Sequence, residues 1–245
     1  MPILSNLQQH NIPGSHYGFS GAKLQTLTSS EYTLVTICTD VSGSVSAFKA
    51  DIESCLQNIV QSCAAAPRAD NLLLRLTTFN TNIRELHGFR PLAESPRDAY
   101  QNILRTSGCT ALYDATNNAI EAIQRYGKQL ATNAFAVNGI LFVITDGADN
   151  ASTTTSKTIK ETLSKTIQDE HLDNMLTVLI GINVQDNGLS KQLKSFSNHA
   201  GFDAYIELQE ASAAALEKLA FFVSKSISLQ SRALGAGKVP VPLTF

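Results

Sequence analysis

Apolar and polar positions along the chain switch between two regimes. Residues 32–38, 72–79, 139–145 and 175–182 are runs of nearly unbroken hydrophobicity, rich in Val, Ile, Leu and Thr. Runs of that length and composition predict strands covered on both faces. Between them, apolar residues recur at intervals of three and four. Val45, Phe48, Ile52, Leu56, Ile59 and Cys63 form one such stripe, which ends near Pro67. Leu112, Ala115, Ala119, Ile123 and Tyr126 form a second, and Ile159, Leu163 and Ile167 a third. Leu189, Leu193, Phe196 and Ala200 follow, and Leu216, Leu219, Val223 and Ile227 close the series. Each stripe predicts an amphipathic helix.

One link breaks the alternation. Only Asn80-Thr81-Asn82 separates the strand ending at Phe79 from the next, residues 83–89, and so short a link predicts a hairpin with an antiparallel pair. A loop over 91–96, a short helix over 97–104 and a short edge strand over 204–208 complete the pattern. Strands and helices in this alternation predict an α/β fold, a doubly wound and mainly parallel sheet with helices on both faces. Residues 1–30 carry Pro2, Pro13, Gly14, Gly18 and Gly21 among polar residues with no sustained period. They are expected to form an irregular arm lying on the domain. Residues 231–245 read as a tail punctuated by Gly and Pro.

Composition narrows the function classes. A chain of 245 residues with 43% hydrophobic content can bury one large core, so a single domain is expected. Nineteen basic against 21 acidic residues give a formal net charge of −2, which offers no electrostatic footprint for nucleic acid or an anionic membrane. No apolar stretch is long enough to span a bilayer. Residues 1–20 contain neither Lys nor Arg, so no secretory signal is recognised and the cytoplasm is the expected address. Cys38, Cys55, Cys63 and Cys109 lack CxxC spacing, and three of them fall in segments that face the core. They read as reduced small hydrophobes, not a disulfide frame or a zinc site.

The polar chemistry concentrates at strand ends. Asp40-Val41-Ser42-Gly43-Ser44 sits where the first buried strand stops and a helical period begins. That corner gathers one carboxylate and two hydroxyls in a turn that Gly43 permits. Such oxygens suit a hard cation, Mg²⁺ or Mn²⁺, better than zinc or copper. On the pentapeptide alone a Ser-rich capping turn, with Ser44 or Ser46 capping the following helix, is an equal alternative. A second loop, residues 107–114, places Thr110 at a helix N-terminus. A third, Asp146-Gly147-Ala148-Asp149-Asn150, follows the clearest buried strand, at the carboxyl edge where open α/β sheets hold their sites.

In this order, Asp40-x-Ser42-x-Ser44, Thr110 and Asp146 resemble the metal-ion-dependent adhesion site of the von Willebrand factor A domain. The resemblance covers residues 31–230, with residues 1–30 and 231–245 outside it. It includes the contexts Gly108-Cys109-Thr110-Ala111-Leu112-Tyr113-Asp114-Ala115 and Ile144-Thr145-Asp146-Gly147. It implies a Rossmann-like sheet of six strands, one of them antiparallel, in agreement with the hairpin at residues 80–82. It also implies that Ser42, Ser44 and Thr110 bind the ion directly while Asp40 and Asp146 act largely through water. An ion held mainly by neutral hydroxyls stays electrophilic and keeps an open position. The resemblance therefore implies Mg²⁺ as cofactor, with Mn²⁺ or Ca²⁺ also served, and a protein partner offering an Asp or Glu carboxylate. Such a partner is expected to be an ATPase or an assembly factor. The Asp-Gly-x-Asp-Asn run and the missing signal look more like stand-alone prokaryotic members than extracellular integrin inserts.

An enzyme is the rival class, because an open Mg²⁺ can polarise water or a phosphoryl group. A Mg-dependent hydrolase or phosphoryl-handling enzyme is thus the alternative reading. Against it, the chain has no Gly-x-x-x-x-Gly-Lys-Ser/Thr loop, no Gly-x-Ser-x-Gly and no His-Glu-x-x-His, and its five His are scattered singly. Asp114 and Asp149 lie near enough in sequence to join the acidic surround. Asp114 serves equally well as an acceptor for backbone N–H groups at its own helix start. The expectation is a metal-dependent binding module and not an enzyme.

Overall fold

The computed structural model describes residues 7–236. Their strands are β1 (Leu7–His10), β2 (Phe19–Ala22), β3 (Glu31–Asp40), β4 (Leu72–Phe79), β5 (Ile83–Pro91), β6 (Ala136–Thr145), β7 (Asn174–Gly181) and β8 (Ala204–Glu207). Their α-helices are α1 (Lys49–Ala64), α2 (Leu112–Thr132), α3 (Ser156–Gln168), α4 (Asn187–Ala200) and α5 (Ala213–Gly235). The strands form one sheet in the order β1-β2-β5-β4-β3-β6-β7-β8. The architecture is the expected α/β, mostly parallel and Rossmann-like, but it has eight strands and not six.

The difference comes from the arm. Residues 7–22 are not irregular: β1 and β2 pair antiparallel, and β2 then lies parallel to β5 through Gly21 and Phe89. Strands of four residues, one of them Leu-Gln-Gln-His, carry no readable alternation. What holds them is tertiary. Ser20 N–H and Oγ both donate to Glu85 Oε1, at 2.9 and 2.5 Å, and Tyr126 Oη donates to Ala22 O at 2.7 Å. Gly88 makes the approach possible, because a Cβ there would stand 2.0 Å from Ser20 O. Two strands, β2 and β5, therefore run against the rest, where one was expected.

Two further expectations shift at their edges. The helix foreseen over 97–104 is a single 3₁₀ turn, Arg97–Tyr100. The last helix runs on to Gly235, into the segment read as tail, and residues 237–245 lie outside the described part of the chain. Residues 1–6 of the arm lie outside it as well.

Helices cover both faces. One core packs α1 and α5 against the sheet through Val35, Ile37, Ile140 and Phe142, and α1 and α5 also pack on each other. The other packs α2, α3 and α4 against Leu34, Cys38, Leu141 and Val143. Side chains alternate across each central strand, so both faces are apolar and the run reads as unbroken. Cys38, Cys55 and Cys63 are buried free thiols, as expected, and Cys109 is exposed. Among the described residues no helix is long and apolar enough to cross a membrane.

A buried histidine makes the fold acid-sensitive. His87 on β5 is sealed in the core, with Nε2 2.9 Å from Tyr100 Oη and Nδ1 3.0 Å from Gly88 O. Burial, aided by the charge of Arg90, pushes its pKa from 6.5 down to about 3. Below pH 6.5 the unfolded chain takes up a proton that the folded chain refuses. Stability is therefore full above that value and falls by up to about 1.4 kcal/mol per pH unit as the pH drops toward about 3. Urea unfolding of the wild type and His87→Gln between pH 7 and pH 4 should show the steeper loss in the wild type; parallel curves would refute the assignment.

Candidate metal centre

Register brings the three loops together. β3 pairs in parallel with β4 and with β6, and Thr39 stands opposite Ile144. Both central strands thus end at the same level, and Asp40 and Asp146 leave the carboxyl edge side by side. After Asp40 the chain turns into a 3₁₀ segment, Gly43–Phe48, before α1 begins. No side chain caps either start, so the capping alternative for Ser44 does not hold, and Ser46 Oγ instead donates to Gly43 O.

The sequence-predicted oxygens converge. Ser44 Oγ donates to Asp146 Oδ1 at 2.9 Å and lies 3.1 Å from Ser42 Oγ. Asp40 is held on both oxygens, Oδ1 by Ser42 N–H (2.8 Å) and Oδ2 by Thr145 Oγ1 (2.7 Å). Thr110 comes in from the second loop: a Cβ built on Gly147 would lie 3.6 Å from its Oγ1. Asp40, Ser42, Thr110 and Asp146 are buried, and Ser44 is exposed at the mouth.

The loops are tied to one another through their backbones. Gly43 N–H donates to Gly108 O and Ser107 N–H to Val41 O, which fastens the second loop to the first. Thr110 N–H donates to Asn150 Oδ1 (2.8 Å) and Asn150 N–H returns to Thr110 O (3.0 Å), which fastens it to the third. The turn after β4 supports the same loop, with Asn80 Nδ2 donating to Ser107 O and Cys109 N–H to Thr81 Oγ1. Gly108 adopts φ +76°, a conformation that disfavours any side chain.

Electrostatics tests whether these residues fit a cation. Asp40 and Asp146 are two nearly buried carboxylates, and among the described residues neither has an ion pair. Burial pushes the Asp40 carboxyl up to about 6 against its hydrogen bonds, and the neighbouring Asp146 charge adds to the rise. Burial raises Asp146 in the same direction. Two uncompensated carboxylates beside three hydroxyls form an acceptor-rich, all-oxygen cluster of the kind that suits a hard divalent ion. No group of three or more His, Cys, Asp or Glu side chains suited to a metal occurs among the described residues. The set therefore does not fit zinc or copper chemistry, and its charge comes from two carboxylates only.

Asp149, and not Asp114, serves the start of α2. Asp149 Oδ1 accepts from Tyr113 N–H (3.1 Å) and so satisfies the start of α2. Asp114 reaches away from its own helix start and accepts from Thr153 and Thr154 N–H groups, holding the loop before α3. Sequence reading missed Thr145 and Asn150, which orient Asp40 and Thr110. Their signal was adjacency, since each lies within four residues of Asp146.

The fold and cluster invite comparison with known proteins. No protein-family model matches the chain, and none of the curated proteins does. Solved structures do match. A mutant of the PilB minor pilin from Streptococcus sanguinis superposes with TM-score 0.59 at 12% identity, over 89% of this chain and 66% of that one. Proximal thread matrix protein 1 from the mussel byssus gives 0.53 at 17% identity, over 82% of this chain and 46% of the other. The chain thus spans less than two thirds of either. BatB from Bacteroides thetaiotaomicron, a conserved hypothetical protein, gives 0.51 at 15% identity, over 79% of this chain and 98% of that one. At these identities the likeness is one of fold, and the fold is von Willebrand factor A-like.

Proposed function

We propose that this chain is a divalent-metal-dependent protein-binding module whose site follows the metal-ion-dependent adhesion pattern. The observation that supports it best is that Ser44 lies within hydrogen-bond distance of both Ser42 and Asp146, beside Asp40 and Thr110, with no cationic side chain among the described residues paired to the carboxylates. Ser42, Ser44 and Thr110 would hold Mg²⁺ directly, with Asp40 and Asp146 acting through water; Mn²⁺ and Ca²⁺ are the other candidates. The ion supplies an electrophilic position for an anionic oxygen from outside. A partner's Asp or Glu side chain is the natural occupant, because few neutral ligands compete with a carboxylate for a hard cation.

The proposal is of a scaffold and not an enzyme, working with an ATPase or an assembly factor in a prokaryotic cell. As to compartment, the four free cysteines favour a reducing interior, the cytoplasm. The name of one matched structure, a minor pilin, favours the cell surface instead, and fractionation of the host decides between the two. The function is tested by retaining partners from host lysate on the immobilised chain with Mg²⁺ and with EDTA. Proteins held only with Mg²⁺, and lost from Asp146→Ala, are expected; an identical set in EDTA refutes the reading. Mg²⁺-dependent turnover of phosphoesters, lost in Asp40→Ala, would favour the hydrolase.

A further inference from the structure

A cleft of about 630 Å³ opens beside the oxygen cluster. Tyr113, three residues past Thr110, and Asp149, three past Asp146, form one wall, while Lys191, Ser195 and His199 of α4 form the other. The half-buried Tyr113 ring stacks on the buried Phe196, with centroids 4.4 Å apart and planes at 26°, so Phe196 holds it from behind. Asp149 is committed on Oδ1 to Tyr113 N–H and Ser152 Oγ. His199 Nδ1 lies 2.8 Å from Ser195 O, which leaves Nε2 for an outside partner. Lys191 is the cation of the α4 wall, since residues 187–200 add no carboxylate to the cleft, while Asp149 lines the other wall.

We propose that this cleft receives the residues flanking the partner carboxylate. The occupant is an extended acidic peptide segment with one carboxylate at the metal centre, a large aromatic side chain laid on Tyr113, and a second carboxylate reaching Lys191. The proposal rests on the docking function above. The Tyr113 ring selects a flat apolar side chain, because stacked or edge-on ring contacts add to the area that is buried. Lys191 favours a carboxylate at its own end of the cleft, so it supplies specificity that the ion alone does not. A small metabolite is less suited, since the exposed Lys191, Ser195 and His199 make this a polar surface groove and not an enclosed apolar pocket.

The test uses a displayed library of short peptides with a fixed central Asp, selected on the full chain in Mg²⁺. Enriched peptides are expected to carry an aromatic residue close to the Asp and a further acidic residue. Their affinity, read by fluorescence polarisation, should fall about tenfold in Ser195→Trp, which fills the cleft, and in Lys191→Glu, which reverses its wall. Both positions are exposed, so both variants should keep the wild-type circular dichroism spectrum. A selection without that enrichment overturns the proposal, as do peptides that bind both variants as tightly as the wild type. If those indifferent peptides still release in EDTA, the cleft alone is refuted and the metal-dependent docking stands. If binding survives EDTA, the docking reading falls and takes the proposal with it.

Discussion

Replacing Glu85 by alanine is expected to cost the fold about 3–5 kcal/mol, the penalty for stranding a buried charge by deleting its partner. Arg75 on β4 has no exposed surface, and its Nε donates to Glu85 Oε2 at 2.7 Å. Its Nη2 donates to Asn118 Oδ1 at 3.0 Å, and its Nη1 is buried without a partner among the described residues. The Phe89 ring, 6.0 Å from the guanidinium carbon, adds only a weak attraction. Without Glu85 the guanidinium would keep a single neutral acceptor in a dry interior. The same deletion frees Ser20, whose two hydrogen bonds to Glu85 dock β2 on β5. In a domain of this size the loss corresponds to roughly 6–20 °C in melting temperature. Urea unfolding should place Glu85→Ala far below the wild type, and the pair Arg75→Met with Glu85→Leu well above the single variant, because no charge is then stranded. A single variant within about 1 kcal/mol of the wild type would show that Arg75 does not depend on this carboxylate.

The same ion pair marks where sequence reading stops. The central strands announced themselves because both of their faces are covered: Leu72 to Phe79 reads as an unbroken run, and the structure buries every residue of it, Arg75 included. Nothing local distinguishes Arg75 from an edge-strand charge, since its partners Glu85 and Asn118 are 10 and 43 residues away. The β1–β2 hairpin was hidden for the same reason: its stability lies in Glu85, Gly88 and Tyr126, not in its own pattern. The oxygen cluster was legible because three of its five side chains share one pentapeptide and the other two follow recognisable contexts. Its supports were not, because Thr145 reaches Asp40 only through the parallel register of β3 and β6, and Asn150 reaches Thr110 only where the second and third loops meet.

Mg²⁺ is expected to raise the melting temperature of the wild type and to leave Asp40→Asn and Asp146→Asn unmoved. Asparagine preserves shape at both positions. At residue 40 the side-chain oxygen can still accept from Ser42 N–H, and the new amide can donate to Thr145 Oγ1, which now donates to Asp40 Oδ2. What is lost is charge, and these two residues supply all the carboxylate of the cluster. Free of metal, each variant should be at least as stable as the wild type, since it removes a buried carboxylate that has no ion pair among the described residues. At about ten times its dissociation constant, the ion should add about 1.4 kcal/mol to the wild type, or roughly 3–6 °C. A carboxylate-bearing peptide should enlarge that shift, because linkage makes ion and partner strengthen each other by the same factor. Affinity for such a peptide should fall more than about a hundredfold in either variant, to the limit of detection. Melting curves and calorimetric Mg²⁺ titrations, each with and without peptide, read both effects. An equal Mg²⁺ shift in the wild type and both variants would place the ion elsewhere and remove the basis for docking at this edge.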